Sequence, residues 1–182
     1  MTATAVMSGL GAEPRESAAR GAAIARLDAW LDCDADTLRR TYEAARVPRI
    51  PDVRGALRGR MLAWPVAGRR TNAALRLLAG SSRFPWRGKS FFPHDDDRGE
   101  GKNRVFSDRL ALFRFETRIE RSRAGDFDAV QLDYDLPENP FFIRAIKDEI
   151  REVEPGLWLG QAYLHAGGKD TLVLYFGLAV PA

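Results

Sequence analysis

The segment from residue 130 to residue 143 reads Val130-Gln-Leu-Asp-Tyr-Asp-Leu-Pro-Glu-Asn-Pro-Phe-Phe-Ile143, and it joins two local patterns. Its first half alternates apolar with polar side chains, which is typical of a half-buried β-strand. Asn139 and Pro140 then suit the N-cap and the first position of a helix, which we expect to end at Pro155. The apolar residues that repeat at helical spacing are Phe142, Ile143, Ile146, Ile150 and Val153.

Two further strands complete this C-terminal unit. Residues 157–165 are apolar on both faces at their start, and residues 171–180 are apolar on both faces throughout. The glycines and polar residues at 167–170 suit a hairpin loop between them. Strands of this kind are buried on both sides, in a helix-covered sheet or in a barrel with a filled interior.

Upstream segments continue the antiparallel pattern. Strands are predicted at 54–64, 86–92 and 110–120, and residues 103–106 resume pairing after a polar loop at 93–102. Helices are predicted at 13–31, 34–47 and 71–79.

These elements predict a mostly β fold, α+β by content: an antiparallel barrel of six to eight strands over residues 53–182, closed by helices. Residues 13–47 form an N-terminal helical extension, and residues 1–12 are expected to be disordered. With 182 residues, 45% of them hydrophobic, the chain is long enough for one sizeable core.

Composition also limits where the protein works. No run of about 20 apolar residues is present, which predicts no membrane span. The N-terminus lacks the pattern of a secretory signal. Cys33 is the single cysteine, which excludes a disulfide framework and favours a reducing cytoplasm.

The net charge of +3 hides an uneven distribution. Residues 37–90 carry thirteen basic side chains against two acidic ones. Such a block is typical of nucleic-acid or acidic-partner binding. It is also consistent with a basic segment that packs beside the acidic C-terminal half of its own domain, which is the interpretation we favour.

Several short motifs occur in an order that resembles a known group. They are Gly55-Ala-Leu-Arg-Gly59, Trp86-x-Gly88-Lys89-x-Phe91, Leu132-Asp-Tyr-Asp135-x-Pro137 and Leu159-Gly160 followed by Leu174-Tyr-Phe176. This order, over about residues 53–178, resembles small bacterial proteins named for a Gly-x-Trp-x-Gly motif, although Leu57 stands between the two glycines and the tryptophan is absent. The resemblance implies a calycin-like or lipocalin-like barrel with an apolar interior, and it implies no reaction.

The sequence contains no complete motif for phosphate or metal binding. Gly88-Lys89-Ser90 resembles the end of a phosphate-binding loop, but Arg83 occupies the position that needs glycine and no helix follows. The acidic run 94–97 lacks the glycine of a calcium loop, because Glu100 stands there, and we interpret it as a solvated turn. We therefore expect no metal and no cofactor.

Asp133 and Asp135 are weak catalytic candidates. They lie on one face of the predicted strand, where paired carboxylates do general acid–base chemistry if one of them is desolvated. Ion pairs with basic residues of neighbouring strands are the alternative that we favour.

Together, these patterns predict a cytoplasmic protein that binds a small, largely apolar molecule inside the barrel. The aromatic residues expected to line the interior are Phe113, Phe115, Tyr134, Trp158, Tyr163 and Tyr175. The polar groups expected among them are Arg58, Arg104, Asp133 and Gln161. The arginines suit a ligand with an anionic end, and the alternative for each aromatic residue is plain core packing.

Two other functions stay open. The first is a cofactor-independent isomerase, cyclase or lyase on the same scaffold that pairs Asp133 or Asp135 with an arginine. The second is binding of nucleic acid or an acidic partner through residues 37–90, which we disfavour because Phe113 and Phe115 alternate with charges as core residues do. The sequence is compatible with a monomer or a homodimer.

Overall fold

The computed structural model describes residues 12–67, 85–106 and 111–181, with side chains from residue 20 onward. In this part of the chain eight antiparallel strands form a closed barrel, in which each strand pairs with the next and the last pairs with the first. The strands are β1 (Gly55–Ala63), β2 (Trp86–Pro93), β3 (Arg98–Val105), β4 (Ala111–Arg121), β5 (Asp128–Asp133), β6 (Ile146–Glu154), β7 (Leu157–Ala166) and β8 (Lys169–Ala179). The predicted fold class is confirmed.

Two N-terminal helices cover part of the outer surface of the barrel. They are α1 (Ala12–Ala29) and α2 (Ala35–Ala44), and the side chain of Asp34 caps α2 by accepting a hydrogen bond from the Thr37 N–H at 2.7 Å. Their apolar residues pack with outward-facing residues of the barrel in a cluster that includes Leu27, Trp30, Leu38, Tyr42, Leu159 and Tyr175. None of the described helices is long and apolar enough to cross a membrane. The helix predicted at 71–79 lies outside the described residues.

The helix predicted from Pro140 to Val153 is wrong for most of its length. Only α3 (Phe141–Arg144) is helical, and β6 follows it directly. Ile146 and Ile150 face the barrel interior, and Asp148 lies between them on the same face. Because an acidic residue occupies an inward position, the apolar alternation typical of a strand is hidden, and the spacing of the remaining apolar residues imitates a helix.

The outward-facing residues of β6 also obscure the strand pattern in the sequence. Glu149 and Arg151 are buried although they face away from the interior, because α2 covers them. The Arg151 guanidinium donates a hydrogen bond to the Ala45 carbonyl, just beyond α2. Asn139, predicted as an N-cap, instead donates its amide to the carbonyl oxygens of Arg114 and Tyr134.

The loop between β2 and β3 is shorter than predicted. Pairing resumes at Arg98 rather than at Asn103, which leaves residues 94–97 as the turn. The Asp95 carboxylate accepts hydrogen bonds from the backbone N–H groups of Asp97 and Arg98, each at 2.8 Å, and these bonds lower the pKa of Asp95. The interpretation of this acidic run as a solvated turn is confirmed.

A buried carboxylate ties α2 to the barrel. Glu149 is fully buried and accepts hydrogen bonds from the Tyr42 hydroxyl at 2.9 Å, the Ser122 hydroxyl at 2.6 Å, the Arg123 N–H at 3.0 Å and the Gln131 amide at 3.1 Å. Burial and the neighbouring Glu149 raise the pKa of Tyr42, so this tyrosine stays a proton donor. The carboxylate is therefore satisfied entirely by protein groups.

We expect Glu149→Ala to lower the free energy of unfolding by roughly 3 to 5 kcal/mol, because it leaves several buried donors without an acceptor. Urea denaturation followed by circular dichroism measures the change. Glu116→Ala is the control, because the side chain of Glu116, on β4, is half exposed. It is expected to change the stability by less than about 0.5 kcal/mol. Equal effects of the two substitutions would contradict the proposed role of Glu149.

Candidate functional site

A cavity of about 350 Å³ lies inside the barrel. Most of its wall is apolar, and it is built mainly by residues of the strands, together with Pro85 before β2, Tyr134 after β5 and Ile143 of α3. Prominent wall residues are Trp86, Phe113, Ile143, Ile146, Leu174 and Phe176. The volume falls in the range of small-molecule sites, and an apolar wall with a few convergent polar groups is their usual composition.

Four buried polar side chains form one end of this cavity. Lys89 lies on β2, Asn103 on β3, Tyr134 just after β5, and Asp148 on β6. The Lys89 ammonium donates hydrogen bonds to Asn103 Oδ1 at 2.9 Å, Tyr134 Oη at 2.5 Å and Asp148 Oδ2 at 2.8 Å. Lys89 is only 2% exposed and Asp148 only 5%, so this ion pair is removed from bulk water.

The remaining bonds fix the orientation of each group. Trp86 Nε1 donates to Asn103 Oδ1 at 3.0 Å, and since Trp86 and Lys89 only donate, the amide oxygen must face them. The amide nitrogen of Asn103 then donates to Tyr134 Oη at 2.9 Å. The Tyr134 hydroxyl in turn donates to Asp148 Oδ2 at 3.1 Å, because an ionised carboxylate only accepts.

Aromatic rings surround the ammonium group. Lys89 Nζ lies 5.1 to 5.7 Å from the ring centroids of Phe176, Tyr134, Phe115 and Trp86, which is the range of cation–π attraction. Burial lowers the pKa of Lys89, and the Asp148 carboxylate opposes that change. Burial also raises the pKa of Tyr134 well above its ordinary value, so its hydroxyl remains a donor.

Close backbone packing makes room for one of these rings. Gly160 on β7 lies beneath Phe176, and a Cβ atom at that position would come within 2.2 Å of Phe176 Cζ. Any larger residue would therefore push the Phe176 ring into the cavity or away from the Lys89 ammonium group.

The structure places only some of the predicted site residues in the cavity. Phe113 and Tyr134 line it. Phe115 and Trp158 lie inside the barrel but in the packed core beside the cavity.

Three predicted site residues on β7 and β8 face outward and not into the barrel. Tyr163 donates its hydroxyl to Gln161 Oε1 at 2.6 Å, and Tyr175 packs in the cluster under the N-terminal helices. The expectation that these three side chains face the interior is wrong, because each occupies the outward phase of its strand.

The expected polar groups also lie outside. Arg58 is exposed on β1, and Arg104, on the outer face of β3, donates to the Leu57 carbonyl at 3.3 Å. Neither arginine contributes to the described lining of the cavity. The prediction that they provide its polar groups is therefore wrong.

The two candidate carboxylates face outward as well. Asp133 pairs with Lys147 at 2.9 Å and Arg118 at 3.2 Å, and Asp135 pairs with Arg144 at 2.7 Å. The favoured alternative, ion pairing with neighbouring strands, is confirmed for Asp133, whereas the partner of Asp135 lies on α3.

Sequence reasoning missed Lys89, Asn103 and Asp148. A signal was nevertheless present: Lys89 lies two residues before the buried Phe91, and Asp148 lies midway between Ile146 and Ile150. Polar residues in the apolar phase of a strand point to a buried polar site when the strand is known to be one.

Comparisons with known proteins support the fold alone. No family model matches the chain, and no curated protein matches it. A solved structure described as the crystal structure of a protein from Thermomonospora curvata is similar, with 20% sequence identity and a TM-score of 0.54. The similarity covers 87% of this chain and 96% of that chain.

Asp133 gives a pH-dependent prediction. Burial raises the pKa of Asp133, but hydrogen bonds from Lys147, the Asp135 N–H and Arg118 outweigh burial and lower the pKa to about 2. Because the unfolded value is about 3.9, the ionised carboxylate stabilises the folded state above about pH 4, and this contribution is lost as the pH falls toward about 2. We expect Asp133→Asn to cost about 1 kcal/mol at neutral pH, since the pair is partly exposed.

Denaturation curves of Asp133→Asn and the unmodified protein between neutral pH and about pH 2 test this expectation. The stability difference should vanish at the acid end. Asp126→Asn, whose carboxylate is almost fully exposed, is the control. A difference that persists at the acid end would show that the carboxylate charge is not its cause.

The buried ion pair gives a second stability prediction. Asp148→Leu should lower the free energy of unfolding by roughly 3 to 5 kcal/mol, because it leaves the Lys89 ammonium buried without a counterion. The double variant Lys89→Met with Asp148→Leu should recover much of that loss. Urea denaturation of the single and double variants measures this coupling, and additive losses would contradict it.

Proposed function

We propose that the protein binds one small, largely apolar molecule inside the barrel, with the polar end of the ligand beside Lys89 and Asp148. The observation that carries this proposal is the cavity of about 350 Å³, with an apolar wall and a buried polar cluster at one end. Small-molecule sites combine these two features, one for affinity and the other for orientation.

The apolar wall supplies the driving force. Each Å² of apolar ligand surface that the wall removes from water contributes about 25 cal/mol. Most wall residues project from hydrogen-bonded strands, so little conformational entropy is lost when a ligand enters.

The other interpretations of the sequence receive less support. Single-stranded nucleic acid stacks on exposed aromatic rings, but Trp86 lines the cavity and Phe91 is buried in the core. Part of the basic segment pairs within the protein, as Arg46 does with Glu152 at 2.8 Å. An acid–base role would fall to Asp148, the carboxylate in the described cavity lining, rather than to Asp133 or Asp135.

Binding of 1-aminoanthracene tests the proposal, because this neutral fluorophore brightens in apolar surroundings. We expect saturable binding with one site per chain. Ala162→Phe should weaken that binding at least about tenfold, because Ala162 lines the cavity and a phenyl ring would fill part of its volume.

Ala56→Phe provides the matched control. Ala56 is an exposed residue on β1, so the same substitution there adds a ring outside the barrel and should leave the affinity unchanged. The proposal fails if the fluorophore does not bind saturably, or if both variants bind it as tightly as the unmodified protein.

A further inference from the structure

The Lys89, Trp86 and Tyr134 donors at the polar end of the cavity already have partners. The three N–H groups of the Lys89 ammonium face three acceptors, on Asn103, Tyr134 and Asp148. The Trp86 N–H is directed to Asn103, and the Tyr134 hydroxyl is directed to Asp148 Oδ2. An acceptor on the ligand could bind Lys89, Trp86 or Tyr134 only by breaking one of these buried bonds.

One acceptor has no partner. Among the described residues, Asp148 Oδ1 is a buried side-chain oxygen without a hydrogen bond, and it is the only such atom that belongs to the cavity lining. Asp148 Oδ2, in contrast, accepts from both Lys89 and Tyr134. A buried carboxylate oxygen without a donor is energetically costly, and a hydroxyl or N–H donor brought within hydrogen-bond distance of it would remove that cost.

The charges at this end are balanced. Lys89 and Asp148 form a one-to-one pair at 2.8 Å, and the described lining contains no arginine. An anionic ligand would bring a second negative charge beside Asp148, and a cationic ligand would bring a second positive charge beside Lys89. Either excess charge would be buried without compensation, so the balance favours a neutral ligand.

We infer that the cavity selects neutral, largely apolar molecules whose polar end is a hydrogen-bond donor, such as a phenol, an alcohol or an N–H group, and that Asp148 Oδ1 accepts this bond. This inference rests on the proposed function. It replaces the anionic end expected from the arginines, which lie outside the barrel.

Three probes with one apolar skeleton test the selection: 2-naphthol, 2-methoxynaphthalene and 2-naphthoate. Titration calorimetry of the unmodified protein should show 2-naphthol binding about 10- to 100-fold tighter than 2-methoxynaphthalene, as expected for a hydrogen bond to a charged acceptor. The anion 2-naphthoate should bind most weakly of the three.

The possible outcomes separate this inference from the proposed function. If the three probes bind with equal affinity, or if 2-naphthoate binds most tightly, the inference is overturned while the proposal of an apolar ligand stands. If none of the three binds, and 1-aminoanthracene does not bind either, both are overturned.

Asp148→Asn provides a readout that a purely structural role would not change. Because Lys89 and Tyr134 donate, the new amide oxygen must face them, and the NH₂ group takes the place of Oδ1. The cavity then offers a donor instead of an acceptor. We expect the preference for 2-naphthol over 2-methoxynaphthalene to fall to about one or to reverse.

Asp133→Asn makes the same chemical change on the outer face of the adjacent strand and should leave the preference unaltered. Retention of the 2-naphthol preference by a folded Asp148→Asn variant would overturn the assignment to Oδ1. If circular dichroism shows that this variant does not fold, the probe series on the unmodified protein decides the inference by itself.

Discussion

Closure of the barrel by pairing β8 with β1 is the constraint on which the rest of the structure depends. Gly59 pairs with Leu178 and Met61 pairs with Phe176, which joins strands more than 100 residues apart in sequence. Once the sheet is closed, every residue of a strand faces either the enclosed interior or the outer surface. The positions of the cavity, the packed core and the helix-covered face all follow from this division.

Two adjacent acidic residues of β6 show how different the environments on the two sides of the sheet are. Glu149 faces outward under α2, and its carboxylate is surrounded by hydroxyl, amide and backbone donors. Asp148 faces inward, and one of its oxygens is bound by Lys89 and Tyr134 while the other has no partner in the described protein. Both carboxylates are buried. The hydrogen bonds of the first carboxylate are completed by the protein, whereas one oxygen of the second is left for the proposed ligand.

The cavity and the buried ion pair are both unfavourable for stability when considered alone. An unfilled apolar volume forfeits dispersion contacts, and a desolvated lysine loses its hydration. The fold offsets these costs elsewhere, through a dense aromatic core in which Phe115 packs edge-to-face with Phe91 and Tyr134 at 5.3 Å.

The sequence by itself determined the local features: the alternation of β4 and β5 and the glycine hairpin between β7 and β8. It also predicted a mostly β, antiparallel fold, although strands that are apolar on both faces fit a helix-covered sheet as well as a barrel. Tertiary structure alone decided which charged residues lie inside. Lys89 is tolerable in the interior because Asp148, 59 residues later, neutralises it, and neither residue carries a local sign of that pairing. Local periodicity indicates which residues of a strand share a face. The counterion that stabilises a buried charge, in contrast, is placed beside it by pairing between strands that are distant in sequence.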